Sequence, residues 1–179
     1  MLQVREGDVA KLGVLFERHH ARLFSFLVRL TNRRDVSEDL VQEVFFRMMK
    51  YGHSFRGDAP FAVWMFQMAR NAATDHFRKW RHESPMQEGA EERTVDEEGE
   101  DAHARLERNE SSSLLKQALA RLPAEKKEVL LLTRYEELKL EEVAAILACP
   151  VGTVKARVHR ALKDLKVEYE LLAGETRHG

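Results

Sequence analysis

Residues 140–165, LEEVAAILACPVGTVKARVHRALKDL, constrain the fold of this chain more than any other stretch. Advancing about 100° per residue from Val154 gathers Val151, Val154, Val158, Ala161, Leu162 and Leu165 into one apolar arc, which must face a core. Thr153, Lys155, Ala156, His159, Arg160 and Lys163 point the other way. The helix before it repeats Leu140, Val143, Ala144 and Leu147 at helical spacing and stops at Cys149-Pro150. Proline has no N–H to lose in a first helical turn, so Pro150 suits the start of the next helix. Two amphipathic helices about a tight turn, the second mixing cations with small residues on its outer side, suit the major groove of duplex DNA. An ordinary solvated hairpin is the plainer reading of any basic face. Against it, Lys155, Arg157, Arg160, Lys163 and Lys166 oppose only Asp164 between residues 150 and 166, and a field of one sign favours phosphate.

Charge divides the rest of the chain. Net charge is +5 over residues 1–82, −8 over 83–113 and +2 over 114–179. The acidic stretch contains EGAEE and DEEGED, two glycines, a proline and almost no aliphatic residue, so it is expected to be a flexible linker between two domains. Relaxed, such a connector spans roughly 30 Å, and fully extended about 100 Å, enough to let the domains sit several DNA turns apart. Its last part, 102–110, could instead join the helix that follows. No apolar run is long enough for a membrane span, and the opening MLQVREGDVA lacks an apolar leader segment, so cytoplasmic residence is expected. A single cysteine, Cys149, excludes an internal disulfide and any multi-cysteine zinc site.

The expected fold class is all-α: two small helical domains, the C-terminal one a four-helix domain containing the helix-turn-helix. In the first domain, Asp8 is expected to cap a long helix reaching about Leu30, with Leu12, Leu15, Phe16, His19, Leu23, Phe26, Leu27 and Leu30 on one stripe. Ser37 with Glu38 and Asp39 is expected to open a second helix to about Lys50, a loop to fill 51–58, and a third helix to run from Ala59 or Pro60 to Arg81. On the second helix Leu40, Val41, Val44 and Met48 form the core arc, leaving Asp39, Gln42, Glu43, Phe46 and Met49 opposite. An aromatic among carboxylates suits docking on a basic, partly apolar partner, unless Phe46 packs on the first helix. The third helix interleaves Phe61, Trp64, Phe66, Phe77 and Trp80 with Arg70, Arg78, Lys79 and Arg81. Helical spacing explains those aromatics as core, while aromatics among cations also stack and hold single-stranded nucleic acid; composition leaves both open.

Three motifs, SEDLVQEVFFRM, SFRGDAPFAVWMFQMARNAATDHFRK and LPAEKKEVLLLTRYEELKLEEVAAILACPVGTVKARVHRAL, together resemble the bacterial RNA polymerase sigma factors of the extracytoplasmic-function type, which keep only the second and fourth sigma domains. The resemblance covers most of the chain outside the linker. It implies that Asp39, Gln42, Glu43 and Phe46 grip the clamp helices of the largest subunit of core RNA polymerase. It further implies that residues 54–58 and the start of the third helix capture a base flipped from the minus-ten element, with Phe55 against the base, Asn71 reading its edge, and Arg70, Arg78 and Lys79 on the neighbouring backbone. In the last domain Lys155, Ala156, His159 and Arg160, flanked by Thr153, Arg157 and Lys163, would read the minus-thirty-five duplex. Ala156 and His159 depart from the Ser and Phe of some members, so a preferred sequence does not carry over. Further implied partners are the flap of the second-largest polymerase subunit, promoter DNA and an anti-sigma factor; no cofactor or metal is implied. The chain stops soon after its last helix, so regulation is expected to come largely from outside.

Two other classes compete. A dimeric repressor or activator would bind duplex DNA tightly without polymerase. An enzyme would draw on His19, His20, Asp39 and Glu43, but no HExxH, P-loop or Ser-His signature accompanies them.

Overall fold

In a computed structural model of the chain, residues 1–83 and 102–176 are described. Among them run α1 (Leu2–Arg5), α2 (Ala10–Thr31), α3 (Arg34–Lys50), α4 (Phe61–Glu83), α5 (Ala102–Arg121), α6 (Ala124–Leu130), α7 (Leu140–Leu147) and α8 (Val151–Thr176), and no strand. A 3-10 turn, Gly52–Ser54, lies between α3 and α4, and a π-helical turn, Leu131–Tyr135, extends α6. The linker expected at 83–113 lies largely outside the described residues; α5 starts at Ala102, so the last part of that stretch joins the helix after it.

Helix α2 buries Leu23, Phe26, Leu27 and Leu30, the inner half of the expected stripe. Its start differs from expectation. Asp8 provides no side-chain cap: α1 precedes it, Gly7 turns the chain at φ +105°, and α2 opens with Val9 at its cap position. Helix α3 likewise starts before Ser37, at Arg34, because Asp35 already supplies first-turn acid and pairs with Arg33. Ser37 is buried inside the helix, donating its hydroxyl to the Arg33 carbonyl at 2.6 Å. The two helices form a hairpin about Asn32, which takes the left-handed conformation at φ 57° that closes α2. Helix α4 packs on both, with Phe66 against Phe26 at 5.0 Å between ring centroids.

In the C-terminal half α7 and α8 meet about Ala148, at φ 50°, and the carbonyl of Pro150 accepts N–H bonds from Thr153 and Val154. Val154, Val158 and Ala161 of α8 are buried with Val143 and Ile146 of α7. Leu162, expected in the apolar arc, is 38% exposed; it lies at the edge of the arc, where α5 packs along α8.

The two halves are packed on each other rather than held apart. Helix α4 contacts α7, α2 contacts α6 and the π-helical turn, and one buried apolar cluster runs through both halves. Polar ties cross the same boundary. Arg22 donates to the carbonyl of Glu136 at 2.9 Å and pairs with its carboxylate, and the Arg70 guanidinium lies 3.1 Å from the Glu128 carboxylate. Lys127, only 4% exposed, donates to the Asn32 amide oxygen and to the Ala120 carbonyl, each at 3.2 Å.

Burial lowers the Lys127 pKa to about 8 from its ordinary 10.5. The unfolded chain therefore binds more protons between those values, and stability rises with pH through that interval. Relative to Lys127→Met, the native chain should gain on the order of 3 kcal/mol in urea unfolding between pH 7 and pH 10.5. A difference between the two proteins that does not change with pH would contradict this.

Candidate nucleic-acid interface

The outer side of α8 is held in register by its buried stripe. With Val154, Val158 and Ala161 locked in the core, Lys155, Ala156, His159, Arg160 and Lys163 are all exposed on the opposite side. Thr153 and Arg157 are half-buried on its flanks. Arg160 folds back along the helix, its Nε donating to the Ala156 carbonyl at 3.3 Å. All seven expected residues thus share the first four turns of one helix, as expected from their spacing.

The second candidate surface combines the 51–58 loop with α4. The loop winds through Gly52–Ser54, and Gly57 takes φ +80°, a conformation glycine adopts without strain. The Phe55 ring is 7% exposed and meets Trp64 edge-on at 5.3 Å and Phe61 at 6.2 Å; Phe61 in turn lies 5.0 Å from His19. Phe55 is therefore a floor beneath the loop rather than a free stacking face. Phe66 is fully buried, and Phe61, Trp64 and Phe77 pack against the core, so that most of the aromatics whose role the sequence left open are structural. Trp80 alone of the five is strongly exposed, at 43%.

The polar residues of α4 do not act as one group. Asn71 is exposed, as are Arg78 and Lys79, with Arg78 paired to Asp75 at 3.0 Å. Arg70, one residue before Asn71 and so about 100° around the helix, turns instead toward the C-terminal half and Glu128. Glu128 is largely buried, and burial raises its carboxyl pKa against the opposing pull of Arg70. The partner that occupies Arg70 was not visible in the sequence, where Glu128 reads as one more charge on a helix.

The third surface is on α3. Asp39 and Gln42 are exposed and Phe46 is 53% exposed. Phe45, not Phe46, packs on the long helix, its ring 5.0 Å from Phe16, which leaves Phe46 outward among the carboxylates. Glu43 is held by Arg47 at 2.6 Å, and Arg47 reaches Asp75 of α4 at 3.1 Å. The i, i+4 spacing could have disclosed the first pair; nothing in the sequence marks the second. His19 packs against the Phe61 ring, with its pKa lowered by burial and by Arg22 and Arg18. His20 stacks on Phe16. Among the described residues no three His, Cys, Asp or Glu gather in a metal-binding group, and no helix is long and apolar enough to cross a membrane.

A family model described as Sigma-70 region 2 matches residues 15–83, and one described as Sigma-70, region 4 matches residues 112–165. The ECF RNA polymerase sigma-E factor of Haemophilus influenzae is 32% identical over 171 residues, covering 89% of this chain and 87% of that protein. Its namesake in Escherichia coli is 30% identical over 175 residues, covering 93% and 91%. Among solved structures, the sigma factor RpoE in complex with the anti-sigma factor NepR from Bartonella quintana matches with a TM-score of 0.73 and 25% identity, over 88% of this chain and 96% of that one.

Proposed function

Because the chain belongs to the sigma-70 family, as an extracytoplasmic-function sigma factor that directs transcription initiation, we propose a division of its surfaces among three ligands. The α3 face of Asp39, Gln42, Glu43 and Phe46 binds the clamp helices of core RNA polymerase. The 51–58 loop and α4 capture unpaired minus-ten bases: Asn71 reads a flipped base, Phe55 backs the loop from beneath, and Arg70, Arg78 and Lys79 hold the backbone. The outer side of α8, from Thr153 to Lys163, reads the minus-thirty-five duplex. The observation that carries this reading is the outward row of Lys155, Ala156, His159 and Arg160 on a helix pinned by buried Val154 and Ala161, in a chain that also matches region 2. The carboxylate-and-phenylalanine face of α3 and the exposure of Asn71 support it further.

No ATP is needed for such an opening. A good base contact contributes about 1 to 3 kcal/mol, too little for either domain to select a promoter alone, and joining both to one polymerase raises their effective concentration. The packed arrangement adds a condition: Arg70 must leave Glu128 before it can meet a phosphate, so the two halves separate as the chain engages polymerase and promoter. The RpoE relative is bound by an anti-sigma factor, and a protein inhibitor of that kind, together with the flap of the second-largest subunit, completes the proposed partners.

Run-off transcription with core polymerase on a promoter library, followed by sequencing of the selected start regions, tests this reading. Asn71→Ala should lower discrimination at one minus-ten position by about tenfold while leaving minus-thirty-five preference intact. Unchanged preference at every minus-ten position would refute the assignment of Asn71.

A further inference from the structure

We propose that α1 is a positioning element for the base-capture loop and that Arg5 is its key residue, an inference that rests on the reading of residues 51–58 given above. The region 2 match begins at residue 15, so α1 lies outside it. A four-residue helix is a single turn, far too short to persist by its own hydrogen bonds, and its position is therefore set by what it touches. It touches α2 and the 3-10 turn of the loop, with Val4 buried at 7% exposure.

Three contacts converge on one short loop. The Arg5 guanidinium donates from Nη1 to the Phe55 carbonyl at 3.0 Å, across fifty residues of sequence. A Cβ placed on Gly52 would come 3.0 Å from Cε of Met1, and one placed on Gly57 would come 3.1 Å from Cδ2 of Leu2. The first two residues of the chain are thus seated against the two glycines, and Arg5 holds the backbone between them. Phe55 is the residue at which the chain leaves the 3-10 turn in extended form, at φ −73° and ψ 108°. A hydrogen bond from a charged guanidinium fixes that carbonyl more firmly than a neutral donor would.

A loop that receives an unstacked base loses affinity if it must first be ordered, because fixing backbone torsions opposes binding. Phe55 lends its ring to the floor through Trp64 and Phe61, and Arg5 lends the carbonyl side of the same residue a second anchor. Removing the anchor leaves the α2–α3–α4 core intact, since Arg5 is partly exposed and lies outside it. Its loss should then be felt in the loop and in base capture, not in polymerase binding.

The test uses the full chain, alone and in reconstituted holoenzyme. In Arg5→Ala, amide hydrogen exchange across residues 52–58 should quicken about tenfold while α3 and α4 keep their protection. Holoenzyme containing Arg5→Ala should bind core as the native chain does, open duplex promoters about tenfold more slowly, and lose discrimination at the captured minus-ten base. Arg5→Lys, which keeps a charged donor, should restore most of both. If native holoenzyme discriminates at that base and Arg5→Ala does so equally, with loop exchange unchanged, the positioning role is overturned. If native holoenzyme shows no minus-ten preference at all, the reading of the loop fails, and the proposal with it.

Discussion

Reversing charge at Asp39 and Glu43 together, as Asp39→Lys with Glu43→Lys, should weaken association with core polymerase by about 30-fold or more, read as loss of co-purification. Both carboxylates lie on the outer face of α3, beside Phe46 at 53% and Met49 at 48% exposure, an apolar centre with an acidic rim. Such a face suits a partner that is cationic and partly apolar. The two positions differ in what they do within the fold. Asp39 is exposed, whereas Glu43 also neutralises Arg47, which in turn reaches Asp75 and links α3 to α4. Asp39→Lys alone is therefore the cleaner variant, and its unfolding midpoint should match that of the native chain. Retained co-purification of the double variant would overturn the assignment of this face.

Glu128→Gln combined with Glu136→Gln should shift the chain from its packed form toward a separated one by a factor of tens. Both carboxylates are nearly buried, with side chains 13% and 6% exposed, and each meets an arginine from the other half, Arg70 and Arg22. Breaking a fully buried pair costs 3 to 5 kcal/mol, but these arginines are 31% and 42% exposed, and solvent screening brings the figure nearer to about 1 kcal/mol each. Distances between dyes placed on α3 and α8 should lengthen, and the released Arg70 should tighten binding of a single-stranded minus-ten oligonucleotide. A distance distribution identical to that of the native chain would show that the apolar contacts alone hold the halves together.

What could be read from sequence, and what could not, follows the range of the interactions involved. The two faces of α8 were legible because they depend on one period and one helix: every residue expected on the outer side is found there or on its flank, and only Leu162, at the edge of the apolar arc, is more exposed than expected. The core arc of α3 was legible for the same reason. Helix starts were not. Asp8 and Ser37 carry the chemistry of caps, yet α1 and its Gly7 turn displace the first start, and Asp35 with Arg33 brings the second forward. Helix α1 itself is too short to show any period. Least legible was the meeting of the two halves, because Arg22, Arg70, Glu128 and Glu136 look like surface charges until burial makes them pairs. An acidic linker suggested freedom between domains, whereas the apolar cluster joining α4 to α7 depends on side chains far apart in sequence. Phe55 shows the same limit at one residue: its burial against Trp64 and Phe61 is set by residues outside its own loop.

In the proposed mechanism one half holds melted bases and the other intact duplex, and polymerase is needed to join the two tasks. Permanganate footprinting of unpaired thymines on a promoter selected from the library reads that division of labour. Core polymerase with this chain should make thymines of the minus-ten region reactive without ATP, while the chain alone and core alone leave them protected. Reactivity on no template, or tight operator-like binding by the chain alone that core polymerase does not improve, would overturn that mechanism.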